Sequence, residues 1–232
     1  MNRDRFQLIN SFNHFADIET VDTSDPLYKI KDLIRMVNER NQAVLKPGKC
    51  NVVDETMKHW RGRLRFRVYN PMKANKYGMK IYKFTTVDSF VLNSKVYCGA
   101  ENRNERDPPV SEAVVMDLME NYLDKGRTVY ADNFFSGIPL VGALANRSTY
   151  YCGTVRKDRR GLPENVSRAS LKRGEIAGSQ CQHGTKVLNW RDKRNVMMIT
   201  NVRHHDETLG PAGENLKPNS IPGVPGADPE RR

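Results

Sequence analysis

The sequence predicts an α/β fold built on a mixed sheet, and three observations carry that prediction. Apolar residues recur first with a helical period, then with a period of two, and then in alternating helix and strand segments. The 232 residues contain 38% hydrophobic and 28% charged side chains, enough for a substantial core and too apolar for a chain disordered throughout. No run of eighteen apolar residues occurs, so no membrane-spanning helix is expected, and the opening six residues lack the apolar stretch of a secretory signal.

Phe6, Ile9, Phe12 and Phe15 predict a first helix. Leu27, Ile30, Ile34, Val37 and Val44 predict a second, with Asp25 as its N-cap, Pro26 in the first helical position and Pro47-Gly48 ending it. Residues 1–48 are thus expected to be a helical segment. From Lys49 the period becomes two. Val53 leads into Asp54, and Leu64, Phe66 and Val68 alternate with Arg65, Arg67 and Tyr69; Met79 to Phe84, Phe90 to Leu92 and Lys95 to Cys98 continue as strands. A polar connection over 102–109 precedes a helix whose apolar face is Val114, Val115, Leu118, Met119 and Tyr122, with Gly126 as its stop. Thr128 to Asp132 reads as a strand, 136–146 as a helix and Tyr150 to Val155 as a strand. After a loop rich in Arg, Lys and Gly, strands near Lys186 to Trp190 and Asn195 to Val202 complete a core over 49–203. Residues 204–232 carry five prolines and four glycines and are expected to be a disordered tail.

Basic side chains outnumber acidic ones by 38 to 27, a formal net charge of +11 and a pI near 9.6, which favours a polyanionic partner with nucleic acid foremost. The charge is concentrated. Lys58, Arg61, Arg63, Arg65, Arg67, Lys73, Lys76 and Lys80 follow one another without an intervening Asp or Glu. On a strand, Arg63, Arg65 and Arg67 would share a face and track phosphates; the competing reading is a solvated sheet face. Arg156 to Arg160 forms a second cluster, read as a phosphate contact, a localisation signal or a mobile loop.

Cys50, Cys98, Cys152 and Cys181 form no C-x-x-C pair, so no zinc site is expected; a reduced compartment and four small buried thiols fit best, with a long-range disulfide as the alternative. His204-His205-Asp206 is a weak metal candidate because adjacent side chains rarely converge on one ion. Trp60 and Trp190 are expected in the core or against the sheet. Asp54 and Asp132 stand at expected strand ends, where a parallel sheet commonly places functional groups. Two such carboxylates suit Mg²⁺, and a pair of ions would serve phosphodiester cleavage. Read locally, Asp54-Glu55 and Asp132-Asn133 serve equally well as a cap and a turn.

Between Arg5 and Val202 the chain resembles the piggyBac-type transposases and the host proteins derived from them. The resemblance rests on Val53-Asp54-Glu55-Thr56-Met57, Arg61-Gly62-Arg63, Tyr69-Asn70-Pro71-Met72-Lys73 with Lys76-Tyr77-Gly78-Met79-Lys80, Tyr130-Ala131-Asp132-Asn133-Phe134-Phe135, Cys152-Gly153-Thr154-Val155-Arg156 and Trp190-Arg191-Asp192-Lys193-Arg194. It implies a ribonuclease H-like core in which three aspartates hold two Mg²⁺ ions for cut-and-paste DNA transposition. Asp54 matches the first acid and Asp132 the second, with Asn133 near the metal site. The resemblance implies that the basic run Arg61, Arg63, Arg65, Arg67, Lys73, Lys76 and Lys80 would likewise lie near the metal site and the DNA path. The third acid, expected in a Gly-Gly-Val-Asp context, has no match after Val202, and Asp228 does not fit it. The family's cysteine-rich zinc domain and much of its N-terminal portion also have no counterpart. The expectation is therefore a nuclear, DNA-binding, transposase-derived protein that binds Mg²⁺ weakly and lacks independent catalysis. The alternatives are a residual Mg²⁺-dependent nuclease and a non-catalytic interaction module pairing with itself or a related protein.

Overall fold

The computed structural model describes residues 1–17, 19–73, 76–99, 108–181, 184–203, 208–209 and 217–218. Two N-terminal helices, α1 (Arg3–Ser11) and α2 (Lys31–Val44), precede β1 (Cys50–His59), β2 (Val68–Tyr69), β3 (Tyr77–Thr86) and β4 (Val91–Val96). Then follow α3 (Val110–Met119), β5 (Thr128–Ala131), α4 (Ile138–Asn146), β6 (Tyr150–Thr154), α5 (Glu164–Ser167), β7 (Ile176–Gln180), β8 (Lys186–Arg191) and β9 (Asn195–Thr200). Nine strands form one mixed sheet in the order β2-β3-β1-β5-β6-β9-β8-β7, with β4 beside β3. This is the helix-flanked mixed sheet that the sequence predicts. A short antiparallel pair, β10 (Thr208–Leu209) with β11 (Lys217–Pro218), falls within the expected tail; the rest of that tail and His204-His205-Asp206 lie outside the described residues.

The chain divides into two compact units. The first comprises Met1–Lys46, Glu55–Lys83 and Val91–Asn104; the second comprises Pro47–Asp54, Phe84–Phe90 and Glu105–Arg232. In the first unit, α2 packs on β4, and Asn38 clasps Ser94: its side-chain amide donates to the Ser94 carbonyl at 2.9 Å while its oxygen accepts the Ser94 N–H at 3.1 Å. Helix α2 starts five residues later than Pro26 suggests. The Asp25 carboxylate is engaged in a turn instead, accepting the Leu27 N–H at 2.9 Å and pairing with Lys31 at 2.7 Å.

In the second unit, β5 and β6 run parallel to each other and β5 runs parallel to the start of β1, while β6, β9, β8 and β7 are successively antiparallel. Val53, Val115, Met119, Val129, Leu144, Tyr151 and Ile199 are buried to within 1% of complete exclusion from solvent, the expected result for a sheet covered by apolar helix faces. Helix α3 stops at Met119, not Gly126. Its last turn tightens to a 3₁₀ turn over Glu120–Tyr122, and Asp124 and Gly126, both at positive φ, then redirect the chain into β5. Neither α5 nor β7 is apparent from the sequence pattern, which reads that stretch as loop. Of the four thiols only Cys152 is buried; Cys50 and Cys98 are half-buried and Cys181 is exposed, and none of the four is in a disulfide bond.

Candidate functional site

The parallel register of β1 with β5 positions the two acids. Cys50 pairs with Thr128 and the ladder advances to Val53 opposite Ala131, so Asp54 and Asp132 are the next residues on neighbouring strands. Asp54 does not end its strand as expected. β1 continues to His59 because, past the β5 ladder, it has β3 as its other neighbour in the sheet. Both carboxylates are exposed, while Val53, one position before Asp54, is fully buried, as the two-residue period of a strand requires.

Asp132 sits on a tightly held turn. Its carboxylate accepts the Phe134 N–H at 2.9 Å, and its carbonyl accepts the Ser136 hydroxyl at 3.0 Å. The Ser136 hydroxyl also lies 2.7 Å from the Tyr151 hydroxyl, whose acidity burial suppresses. These bonds delay α4 to Ile138, two residues after the start that periodicity predicts. From the second basic cluster, Arg159 donates to the carbonyls of Asn133 at 2.7 Å and Phe134 at 2.9 Å, and Arg156 Nε donates to the Asn133 side chain at 3.0 Å. Arg159 is thus a brace for the Asp132 turn, a role the sequence did not reveal. Gly153 is required beside it. A Cβ there would stand 2.6 Å from the Ala131 carbonyl oxygen and 2.7 Å from both the Ser136 and Tyr151 hydroxyls.

Two exposed carboxylates, Asp54 within β1 and Asp132 just after the neighbouring β5, fit one hard cation completed by water or phosphate oxygens. A pair of ions needs more ligands, and among the described residues no group of three His, Cys, Asp or Glu side chains assembles. The described donors therefore suffice for one cation and not for two.

The basic run lies in the first unit; Lys58 and Lys80 stand on β1 and β3, but Arg61, Arg63, Arg65 and Arg67 precede β2 and do not share a strand face. Residues 61–67 form an irregular turn in which Arg67 N–H donates to the Leu64 carbonyl at 3.2 Å, and regular pairing starts only at Val68. Phe66 supplies the buried apolar group that mimics a strand period. Arg61, Arg63, Arg65, Arg67 and Lys76 are exposed. Lys73 and Lys80 are drawn to Glu55, at 3.8 and 2.7 Å, and the Lys80 side chain is only 14% exposed. Trp190 is buried as expected, but Trp60 is 45% exposed.

A family model described as Transposase IS4 matches residues 1–215, so the chain belongs to that transposase family. Within it the chain is of piggyBac type. It is 28% identical over 199 residues to human PiggyBac transposable element-derived protein 3, covering 83% of this chain and 34% of that protein. It is 25% identical over 208 residues to human PiggyBac transposable element-derived protein 2, covering 86% and 35% respectively. The chain thus spans about a third of the length of these relatives. Its fold matches a piggyBac transposase in a cryo-EM synaptic complex with hairpin DNA, with TM-score 0.83 and 23% identity over 95% of this chain and 47% of that one.

Proposed function

We propose that this chain is a DNA-associating, transposase-derived protein that does not cleave strands when acting alone. The observation that carries the reading is the acid-free basic segment, whose Arg61, Arg63, Arg65 and Arg67 are all exposed to solvent. Guanidinium groups so presented neutralise backbone phosphates and release their counterions. A similar fold was solved in a transposase complex with hairpin DNA, which supports DNA as the polyanion. A nuclear location belongs to the same proposal. Asp54 and Asp132 retain ligands for one Mg²⁺, bound weakly, while holding two ions for in-line displacement calls for a further carboxylate.

The register that makes Asp54 and Asp132 neighbours favours a second reading, a residual Mg²⁺-dependent nuclease. One experiment separates the two: titration of labelled duplex DNA with the purified chain in Mg²⁺ or Mn²⁺, scoring binding and nicking against the Asp54→Ala/Asp132→Ala double variant. Salt-sensitive binding without nicking, equal in both proteins, is the expected result. Nicking that disappears in the double variant would establish the nuclease, and absence of binding at low salt would remove the DNA reading.

A further inference from the structure

We infer that the corner of the first unit formed by Trp60, Tyr69 and Tyr77 is a stacking platform for unpaired bases, so that single-stranded nucleic acid is the form this basic segment prefers. The inference rests on the DNA-associating reading above and specifies its ligand.

Three large aromatic side chains stand on neighbouring stretches of chain and remain open to solvent: Trp60 is 45% exposed, Tyr69 54% and Tyr77 48%. Tyr69 and Tyr77 are direct cross-strand partners of β2 and β3, with ring centroids 4.7 Å apart and planes inclined at 39°. The Arg67 guanidinium lies 5.3 Å from the Tyr77 ring centroid. Trp60 joins the same corner through its backbone N–H, which donates to the Tyr77 carbonyl at 3.4 Å. Gly78 allows this crossing, because a Cβ there would collide with the Lys58 carbonyl oxygen of β1.

The cross-strand tyrosine pair steadies the two-residue β2 while about half of each side chain stays open to solvent, and exposed aromatic faces among arginines are the two components of single-strand recognition. A duplex keeps its base faces stacked internally and offers such rings nothing but its edges. An unpaired base offers a π-face that any of these rings can take, and Arg61, Arg63 and Arg65 supply phosphate contacts beside it. Charge favours this occupant over a protein, since the run from Lys58 to Lys80 contains eight basic side chains and no acidic one.

The test is fluorescence anisotropy with a short labelled oligothymidine and with a duplex of equal length, on the full chain and on Tyr69→Leu/Tyr77→Leu and Tyr69→Phe/Tyr77→Phe variants. Thermal melting verifies that each variant folds. The leucine pair, which keeps apolar bulk on the strands, is expected to weaken single-strand binding roughly tenfold or more while leaving duplex binding nearly unchanged. The phenylalanine pair is expected to retain the wild-type affinity. Equal losses for both DNA forms, or no loss for either, would overturn the platform and leave the DNA reading standing. Failure to bind either form would remove both. Self-association abolished by the leucine pair, without single-strand binding, would assign the corner to a protein interface and overturn the inference.

Discussion

Asp132 and Arg65 are both exposed charges just outside a strand, but their supports differ. The turn bearing Asp132 is held by its own carboxylate, by Ser136, and by two donor bonds from Arg159, beside a glycine with no room for a methyl group. The Arg61–Arg67 segment has the Arg67 N–H bond to Leu64 and a 3.4 Å bond from the Arg67 guanidinium to the Arg61 carbonyl. The first arrangement is built to fix a group in position, as metal ligation demands. The second holds Arg67 through one long hydrogen bond and a ring contact and leaves Arg61, Arg63 and Arg65 exposed on an irregular turn, as phosphate tracking demands. Substitutions near Asp132 should therefore appear as lost stability, and those in the arginine segment as weakened binding.

The sharpest way to break this contrast is Gly153→Ala. Two strands and a turn converge on that Cβ position, and the Ala131 carbonyl oxygen at 2.6 Å belongs to the main chain and cannot rotate away. A loss of about 3 kcal/mol is expected, measured by chemical denaturation. A loss below about 0.5 kcal/mol would mean that the turn is softer than its hydrogen bonds indicate. Arg159→Met is the milder version. It keeps much of the apolar stem but removes both donors to the Asn133 and Phe134 carbonyls, at an expected cost of about 1.5 kcal/mol. Hydrogen exchange should accelerate at the Phe134 and Ser136 amides ahead of the β9 amides. Uniform acceleration across both would assign Arg159 to global stability instead of the turn.

The two regions also differ in how much of each is legible in the sequence. Most strands and helices are, because one buried face imposes a period, as in Val114, Val115, Leu118 and Met119 of α3. The arginine segment shows the limit of that rule. Leu64, Phe66 and Val68 alternate with exposed residues as a strand would, and Phe66 is indeed buried, yet a turn produces the alternation. β7 fails in the opposite direction. Ile176, Ala177 and Gly178 carry no alternation of large apolar groups, and the strand exists because β8 pairs with it through five register positions. At the acidic corner, Asp54 and Asp132 can each be read locally, whereas their adjacency depends on a ladder between residues almost eighty positions apart. The Arg159 brace leaves no signal, since its acceptors are main-chain carbonyls that any residue provides.

The smallest expected stability effect, and the most direct test of the contrast, is the Arg63→Gln/Arg65→Gln/Arg67→Gln triple variant. All three side chains are exposed, and the hydrogen bond most at risk is the long one from Arg67 to the Arg61 carbonyl. Stability should stay within about 0.5 kcal/mol of wild type. Binding should respond differently. Each phosphate that is no longer neutralised reduces the steepness of log affinity against log salt by about 0.9 for a duplex and about 0.7 for a single strand, so the two slopes report how many phosphates this surface engages in each form. Salt slopes unchanged in the triple variant would exclude this surface from the DNA interface, however basic the chain as a whole. A slope reduced for single strands, together with tyrosine-dependent affinity, would tie the charge and the aromatic rings to one ligand, because the same chain segment supplies both.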